Sequence, residues 1–144
     1  MQTNTSCTLY NRYEKNNGVY YQKTVLKAVF WDGGQQGGER GRQGGTGKTQ
    51  KKEETGRVFV PFFVFAGGRT YCKPKEWDAL SDKSKCFTLR PGDYLVKGDC
   101  SGEYGPEHPI RYLAQEYDDV LTISTVSTRD FGSKEMQHWE IGGV

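Results

Sequence analysis

Residues 32–57 read DGGQQGGERGRQGGTGKTQKKEETGR, and nine of the chain's 19 glycines fall within these 26 positions. The stretch holds no Val, Ile, Leu or aromatic residue. Such a segment has no apolar payload to offset the entropy of ordering its own backbone, so by itself it predicts a mobile excursion. It is bracketed by two of the most apolar runs in the chain, VYYQKTVLKAVFW at 19–31 and VFVPFFVF at 58–65. Two strand-like runs joined by a long polar connection predict a ribbon with a finger at its tip. A connection of that length inside a small domain is characteristically functional or disordered.

The finger contains Gly44-Gly45-Thr46-Gly47-Lys48-Thr49, which invites comparison with a phosphate cradle. That cradle needs a glycine six residues before its lysine and a helix directly after it. Here the glycine position is Arg42, and the following Gln50-Lys51-Lys52-Glu53-Glu54 offers no apolar helix face. A nucleotide site is therefore not expected. The finger carries six Lys and Arg against four Asp and Glu, with Lys48, Lys51 and Lys52 close together. Its candidate contacts to a partner or to DNA are Arg40, Arg42, Lys48, Lys51 and Lys52.

At 144 residues the size matches one domain, and the composition is unusual: 34% apolar but 13% aromatic. Large aromatic side chains on short strands predict a mainly β fold, a small single-domain β-barrel or sandwich over 1–144, with one or two short helices and the Gly-rich loop 32–57 inserted between two long strands. A net charge of +2 is too small to argue for nucleic acid. No apolar run approaches the length of a membrane span, and the polar start Met1-Gln2-Thr3 does not resemble an export signal. Cys7, Cys72, Cys86 and Cys100 are widely spread, which predicts reduced thiols and no structural metal.

Along the chain, strands are predicted at 7–14, 19–31, 58–65, 86–90, 94–97, 120–128 and 136–141. Asn16-Asn17-Gly18 marks a tight hairpin turn between the first two. On 19–31, Tyr20, Leu26, Ala28 and Phe30 would share one face, and Val19, Tyr21, Val25, Val29 and Trp31 the other. With both faces partly apolar, that strand is expected to curve or to lie against a second subunit. Pro61 cannot donate to a ladder, so the 58–65 strand is expected to be an edge or to bulge there. PKEWDAL at 74–80 suits a helix of two turns at most, and 110–115 suits a short helix or an extended segment. Trp31, Phe63 and Trp139 are expected in the core.

No nucleophile elbow, zinc-protease helix or calcium loop is present. Asp93, in Pro91-Gly92-Asp93, is expected to be a turn residue bonding its own backbone. No catalytic role, metal or cofactor is expected. Aromatics on strands beside basic loops are also ingredients of an OB-like barrel binding single-stranded nucleic acid. Against that alternative, the aromatics are bracketed by aliphatics, as core residues are, and no basic stripe is evident.

Four segments together carry a resemblance: TLYNRY at 8–13, TVLKAVFW at 24–31, LRPGDYLVKG at 89–98 and FGSKEMQHWEI at 131–141. They resemble a family of small proteins encoded by tailed bacteriophages and prophages of Gram-positive bacteria, among capsid and tail genes. In size and layout these are similar to head-closure (stopper) proteins of the head–tail connector. The resemblance implies a virion structural protein, assembled in the host bacterial cytoplasm, with no active site. It implies a β-barrel that forms a homo-oligomeric ring of six beneath the portal and adaptor, lines the channel around packaged DNA and docks tail proteins, without a membrane. Adaptor, tail-completion and capsid-decoration proteins overlap it in size. The finger has no counterpart in the resemblance.

Overall fold

A computed structural model describes residues 1–33 and 54–144. Among these, β1 (Thr5–Lys15) and β2 (Gly18–Asp32) form an antiparallel hairpin closed by Lys15↔Gly18. Its two loop residues are Asn16 and Asn17, both with positive φ, 51° and 64°. Paired positive φ angles give a turn whose twist matches that of the strands, and Asn tolerates them. Gly18 therefore belongs to β2 rather than to the turn. Its need for glycine is spatial, since a Cβ there would lie 3.0 Å from Pro106 and 3.2 Å from the Tyr20 ring.

β3 (Gly56–Pro61) follows the finger, then β4 (Thr70–Tyr71), α1 (Pro74–Ala79), β5 (Cys86–Phe87) and β6 (Tyr94–Lys97). A 3-10 turn (Ile110–Tyr112) runs into α2 (Leu113–Glu116), followed by β7 (Val120–Arg129), a second 3-10 turn (Lys134–Met136) and β8 (His138–Gly143). The fold is mainly β, dominated by six antiparallel strands. Their ladders run in a closed circle, β1-β2-β3-β8-β7-β6 and back to β1, while β4 and β5 form a small parallel pair beside it.

The circle consists of two sheets that share β2 and β7. β2 pairs with β1 as far as Val29 and with β3 from Phe30; β7 pairs with β6 as far as Thr122 and with β8 from Ile123. Each shared strand carries a register shift near its handover. On β2, Cys7↔Leu26 is followed by Thr5↔Val29, so three residues oppose two. An extra residue bends a strand and reverses which face each later side chain occupies. Leu26, Val29 and Trp31 are consequently all buried in the same core, and the strict alternation expected over 19–31 does not hold. The bulge also turns the Lys27 N–H outward, where it donates to the Phe65 carbonyl at 3.0 Å.

The main core lies inside the circle, with Ala66, Phe87 and Leu89 of the β3–β6 connection added to it. A second cluster, Tyr10, Val96, Cys100, Tyr104 and Leu113, lies on the outer side of β1 and β6 beneath residues 98–119. This segment is tied to β1 by Thr8, whose hydroxyl donates to the Gly98 carbonyl (2.7 Å) and accepts the Cys100 N–H (2.9 Å). Tyr10 adds a third tie, donating to the Gly102 carbonyl at 2.9 Å. Residues 7–11 are buried on both faces for this reason. The two-sided apolar character of the hairpin is thus met by curvature and by the chain's own strap.

Two other expectations change. The 58–65 strand ends at Pro61, which is the last β3 residue, opposite His138; β3 is an interior strand with β2 and β8 on its sides. A proline at a strand end forfeits no ladder bond that the strand needs. Beyond it the chain turns, and Phe63 is exposed while Phe62 packs on Trp139. The strand expected at 86–90 is only the two residues of β5. The four cysteines carry free thiols.

Trp139 closes one end of the main core. It is 7% exposed and its ring lies 4.5 Å from both Phe62 and Tyr71. Trp139→Ala should lower stability by about 3–5 kcal/mol, measured by denaturant unfolding; a midpoint unchanged from wild type would contradict this placement.

Candidate functional site

Three features of the closed circle bear on function: a buried polar hub, the base of the finger, and an apolar end. The hub is Asp93. The tight turn ahead of β6 needs glycine at Gly92 (φ 95°), and it delivers Asp93 beneath β1 rather than to solvent. One carboxylate oxygen accepts from Asn11 Nδ2 (2.8 Å) and Arg90 Nε (2.9 Å), and the other from the Arg12 backbone N–H (3.3 Å). Asn11 also exchanges two hydrogen bonds with the Thr88 backbone, its Nδ2 donating to the carbonyl at 2.9 Å and its Oδ1 accepting the N–H at 3.2 Å. Arg90 continues to Asp78 on α1 (2.8 Å) and to the Arg12 carbonyl.

Asp93 is therefore not a self-bonding turn residue. It joins β1 to the connection before β6, and Arg90 extends the link to α1. The pattern that hid it was local: a Pro-Gly-Asp turn looks self-sufficient, and nothing in its neighbourhood signals a partner 82 positions away. An open cavity of about 490 Å³ lies beside it, lined by Arg12, Glu14, Asp78, Lys83 and Arg90 among others. The charges there are mixed and largely paired with one another, which suits structure better than capture of a charged ligand.

Burial pushes the Asp93 carboxyl above the usual Asp value, although Asn11 and Arg90 pull it the other way. A carboxyl raised on folding favours the protonated folded state. Its contribution is complete below the unfolded pKa and is lost as pH rises through the folded value. The stability of wild type relative to Asp93→Asn should accordingly decline as pH climbs from about 4, near the unfolded Asp value. Thermal melts of both proteins across the acid range check the sign; a gap that widened with pH would refute it.

The finger base is built from both of its flanks. On the outgoing side, Asn4 clasps Trp31: its Oδ1 accepts the Trp31 N–H at 2.8 Å and its Nδ2 donates to the Trp31 carbonyl at 3.1 Å. On the returning side, the Glu54 carboxylate accepts from Thr125 (2.7 Å) and Ser124 (3.0 Å). The Thr125 bond chiefly holds the Glu54 carboxyl below its usual range, and Ser124 and Arg57 add to this. Gly142 leaves the space that carboxylate occupies, because a Cβ there would run into it. Asp32 and Arg57 face each other as the outermost β2–β3 pair, and Arg57 reaches Glu140 at 2.7 Å. The contact residues expected from the sequence, Arg40, Arg42, Lys48, Lys51 and Lys52, lie outside the described residues.

The opposite end of the β3–β8 ladder exposes large apolar side chains, interspersed with the exposed charges Asp130, Lys134 and Glu135. Two loops leave it, after Pro61 and before His138, and the Phe62 N–H joins them by donating to the Gln137 carbonyl at 3.1 Å. Among the described residues, Phe63 (61%), Phe65 (61%), Phe131 (69%) and Met136 (52%) are exposed on these loops, four of the five large apolar side chains left in solvent. Phe62 and Val64 point back to the core instead, so 62–65 alternates although it is no longer a strand. Sequence reasoning placed Phe63 inside by extending the strand through Pro61; the proline was the available signal that the strand stops.

Among the described residues no group of three or more His, Cys, Asp or Glu is placed to hold a metal ion, and no helix is long and apolar enough to cross a membrane. The molecule is thus defined as a small, mainly β protein whose β3–β8 ladder ends in hydrogen-bonded groups on one side and in loops with exposed large apolar side chains on the other. The chain belongs to DUF6751, a family of unknown function whose pattern matches residues 2–144. No curated protein and no solved structure matches it.

Proposed function

We propose that this protein is a non-enzymatic assembly subunit of a tailed-phage virion: a head–tail connector protein of the head-closure type that joins copies of itself in a ring around the DNA channel. The observation that carries this proposal is the apolar end. A soluble domain rarely leaves large apolar side chains grouped in solvent unless a partner covers them. Phe63, Phe65, Phe131 and Met136 are each exposed, on two loops that the Phe62 N–H bond to the Gln137 carbonyl joins. The sequence resemblance supplies the setting, with portal and adaptor on one side and tail proteins on the other.

A ring closes through head-to-tail contacts between two different patches of one subunit. The apolar end is one patch, and the hydrogen-bonded finger base, at the other end of the same ladder, differs from it in chemistry. Charges at Arg40, Arg42, Lys48, Lys51 and Lys52 would then meet packaged DNA through phosphates, independently of sequence and with steep salt dependence.

Light scattering at high protein concentration should find an oligomer for wild type and a monomer for the Phe63→Asp/Phe131→Asp variant, with melting temperatures within a few degrees because both side chains are already exposed. A wild type that stays monomeric would remove self-assembly through this surface.

The finger supplies a separate check. Because Asp32 and Arg57 are already ladder partners, replacing 34–53 with a short Gly-Ser turn should leave the fold intact. Heads assembled with that variant should leak DNA or fail to join tails. Full infectivity would make the finger a tolerated insertion.

A further inference from the structure

We infer that the groove between the β1–β2 hairpin and residues 103–108 binds an organic cation, an ammonium or guanidinium head, whether on a free small molecule or on a Lys or Arg side chain. This inference does not rest on the assembly proposal. The groove measures about 490 Å³, within the range of small-ligand sites, and is lined by Tyr13, Tyr20, Tyr21, Tyr104 and His108 with Glu103 and Glu107. Among the described residues no Lys or Arg lines it.

The aromatic walls are held in place before any ligand arrives. Tyr13 and Tyr20 are cross-strand partners whose rings stack at 5.6 Å and 20°. The Tyr20 ring lies against two glycines: a Cβ at Gly18 or Gly105 would sit 3.2 or 3.3 Å from it. On the far side, Tyr104 stacks on His108 (4.9 Å, 20°) and meets the edge of Tyr10 (5.3 Å, 85°). The Tyr104 hydroxyl donates to Glu116 at 2.5 Å, and His108 Nε2 lies 2.9 Å from the same carboxylate. The Tyr21 N–H joins the walls by donating to the Tyr104 carbonyl at 3.2 Å.

Charge selects the ligand. Tyrosine faces are electron-rich and attract cations, and a rim carboxylate without a cationic partner adds to that field. Lys23 engages Glu103 at 3.0 Å, whereas Glu107 has no ion pair with any described residue. The same aromatic run already takes a guanidinium at its outer end: Tyr112 stacks on His108 at 5.2 Å, and Arg111 lies 4.8 Å over the Tyr112 ring. Single-stranded nucleic acid needs cations beside its stacking rings, and this groove offers carboxylates.

Amide and aromatic NMR of the full chain tests this, with ethylguanidinium chloride titrated against its neutral isostere N-ethylurea at matched ionic strength. Shifts should centre on Tyr13, Tyr20, Tyr21 and Gly105, saturate at millimolar ethylguanidinium, and require about fivefold more N-ethylurea, the ratio expected for an exposed cation–π contact. Glu107→Gln, at an exposed position, and Tyr20→Leu should each weaken ethylguanidinium, while Tyr20→Phe retains it. An acetyl-Gly-Arg-Gly-amide peptide binding tenfold more tightly than ethylguanidinium assigns the cation to a protein side chain; equal affinity assigns it to a small molecule. No response, an equal response to N-ethylurea, or indifference to Glu107→Gln in a variant that melts like wild type would overturn the inference.

Discussion

Closing six strands into a circle is the constraint on which the rest of the structure depends. A strand edge is a row of unpaired backbone donors and acceptors, and closure removes it, but only if some strands bend far enough to serve two neighbours in turn. β2 and β7 do this, and each places a register shift at the handover from one ladder to the next. Opposite the β7 shift lie Gly142 and Gly143, and a Cβ at Gly143 would collide with the Thr122 carbonyl and Leu121. The bend needs glycine on the neighbouring strand as much as it needs the extra residue on its own.

Closure also produces a wall with two buried sides. The inner side is filled by strand residues together with Ala66, Phe87 and Leu89. Outside, the strap at 98–119 covers β1 and β6 and brings Tyr104, His108 and Glu116 next to the hairpin. The aromatic groove follows from that arrangement, since Tyr20 and Tyr104 come from segments that meet only because the strap crosses the β1–β2 hairpin. Asp93 has the corresponding role at the other side of β1. Its carboxylate accepts from three donors on two segments, Asn11 and Arg12 of β1 and Arg90 of the connection before β6, so its burial is tolerated.

The two ends of the β3–β8 ladder differ in chemistry, and the proposed assembly role draws on that difference. One end is finished by hydrogen bonds: the Asn4 clasp on Trp31, the Glu54 bonds to Ser124 and Thr125, and the Thr55 N–H on the Gly143 carbonyl. The other leaves phenylalanines in water. A polar end with its groups satisfied costs little when solvated, whereas an apolar end gains from being covered.

The sequence by itself determined what local chemistry fixes. Two Asn residues that accept positive φ set the hairpin, Pro74 opened α1, the β-branched run at 120–128 made β7, and Trp139 entered the core because a large apolar side chain on a strand has nowhere better to go. Only the tertiary structure decided the rest. A bulge changes which residues face inward by an amount set by the partner strand, so Leu26 and Val29 could share a core against the expected alternation. Phe63 turned outward because β3 stops where its pairing with β8 stops. Asp93 found Asn11 and Arg12 only once β6 had docked beside β1. Periodicity and turn chemistry act over a few residues and can be read in order along the chain; burial and charge pairing depend on contacts between residues tens of positions apart, which no local pattern encodes.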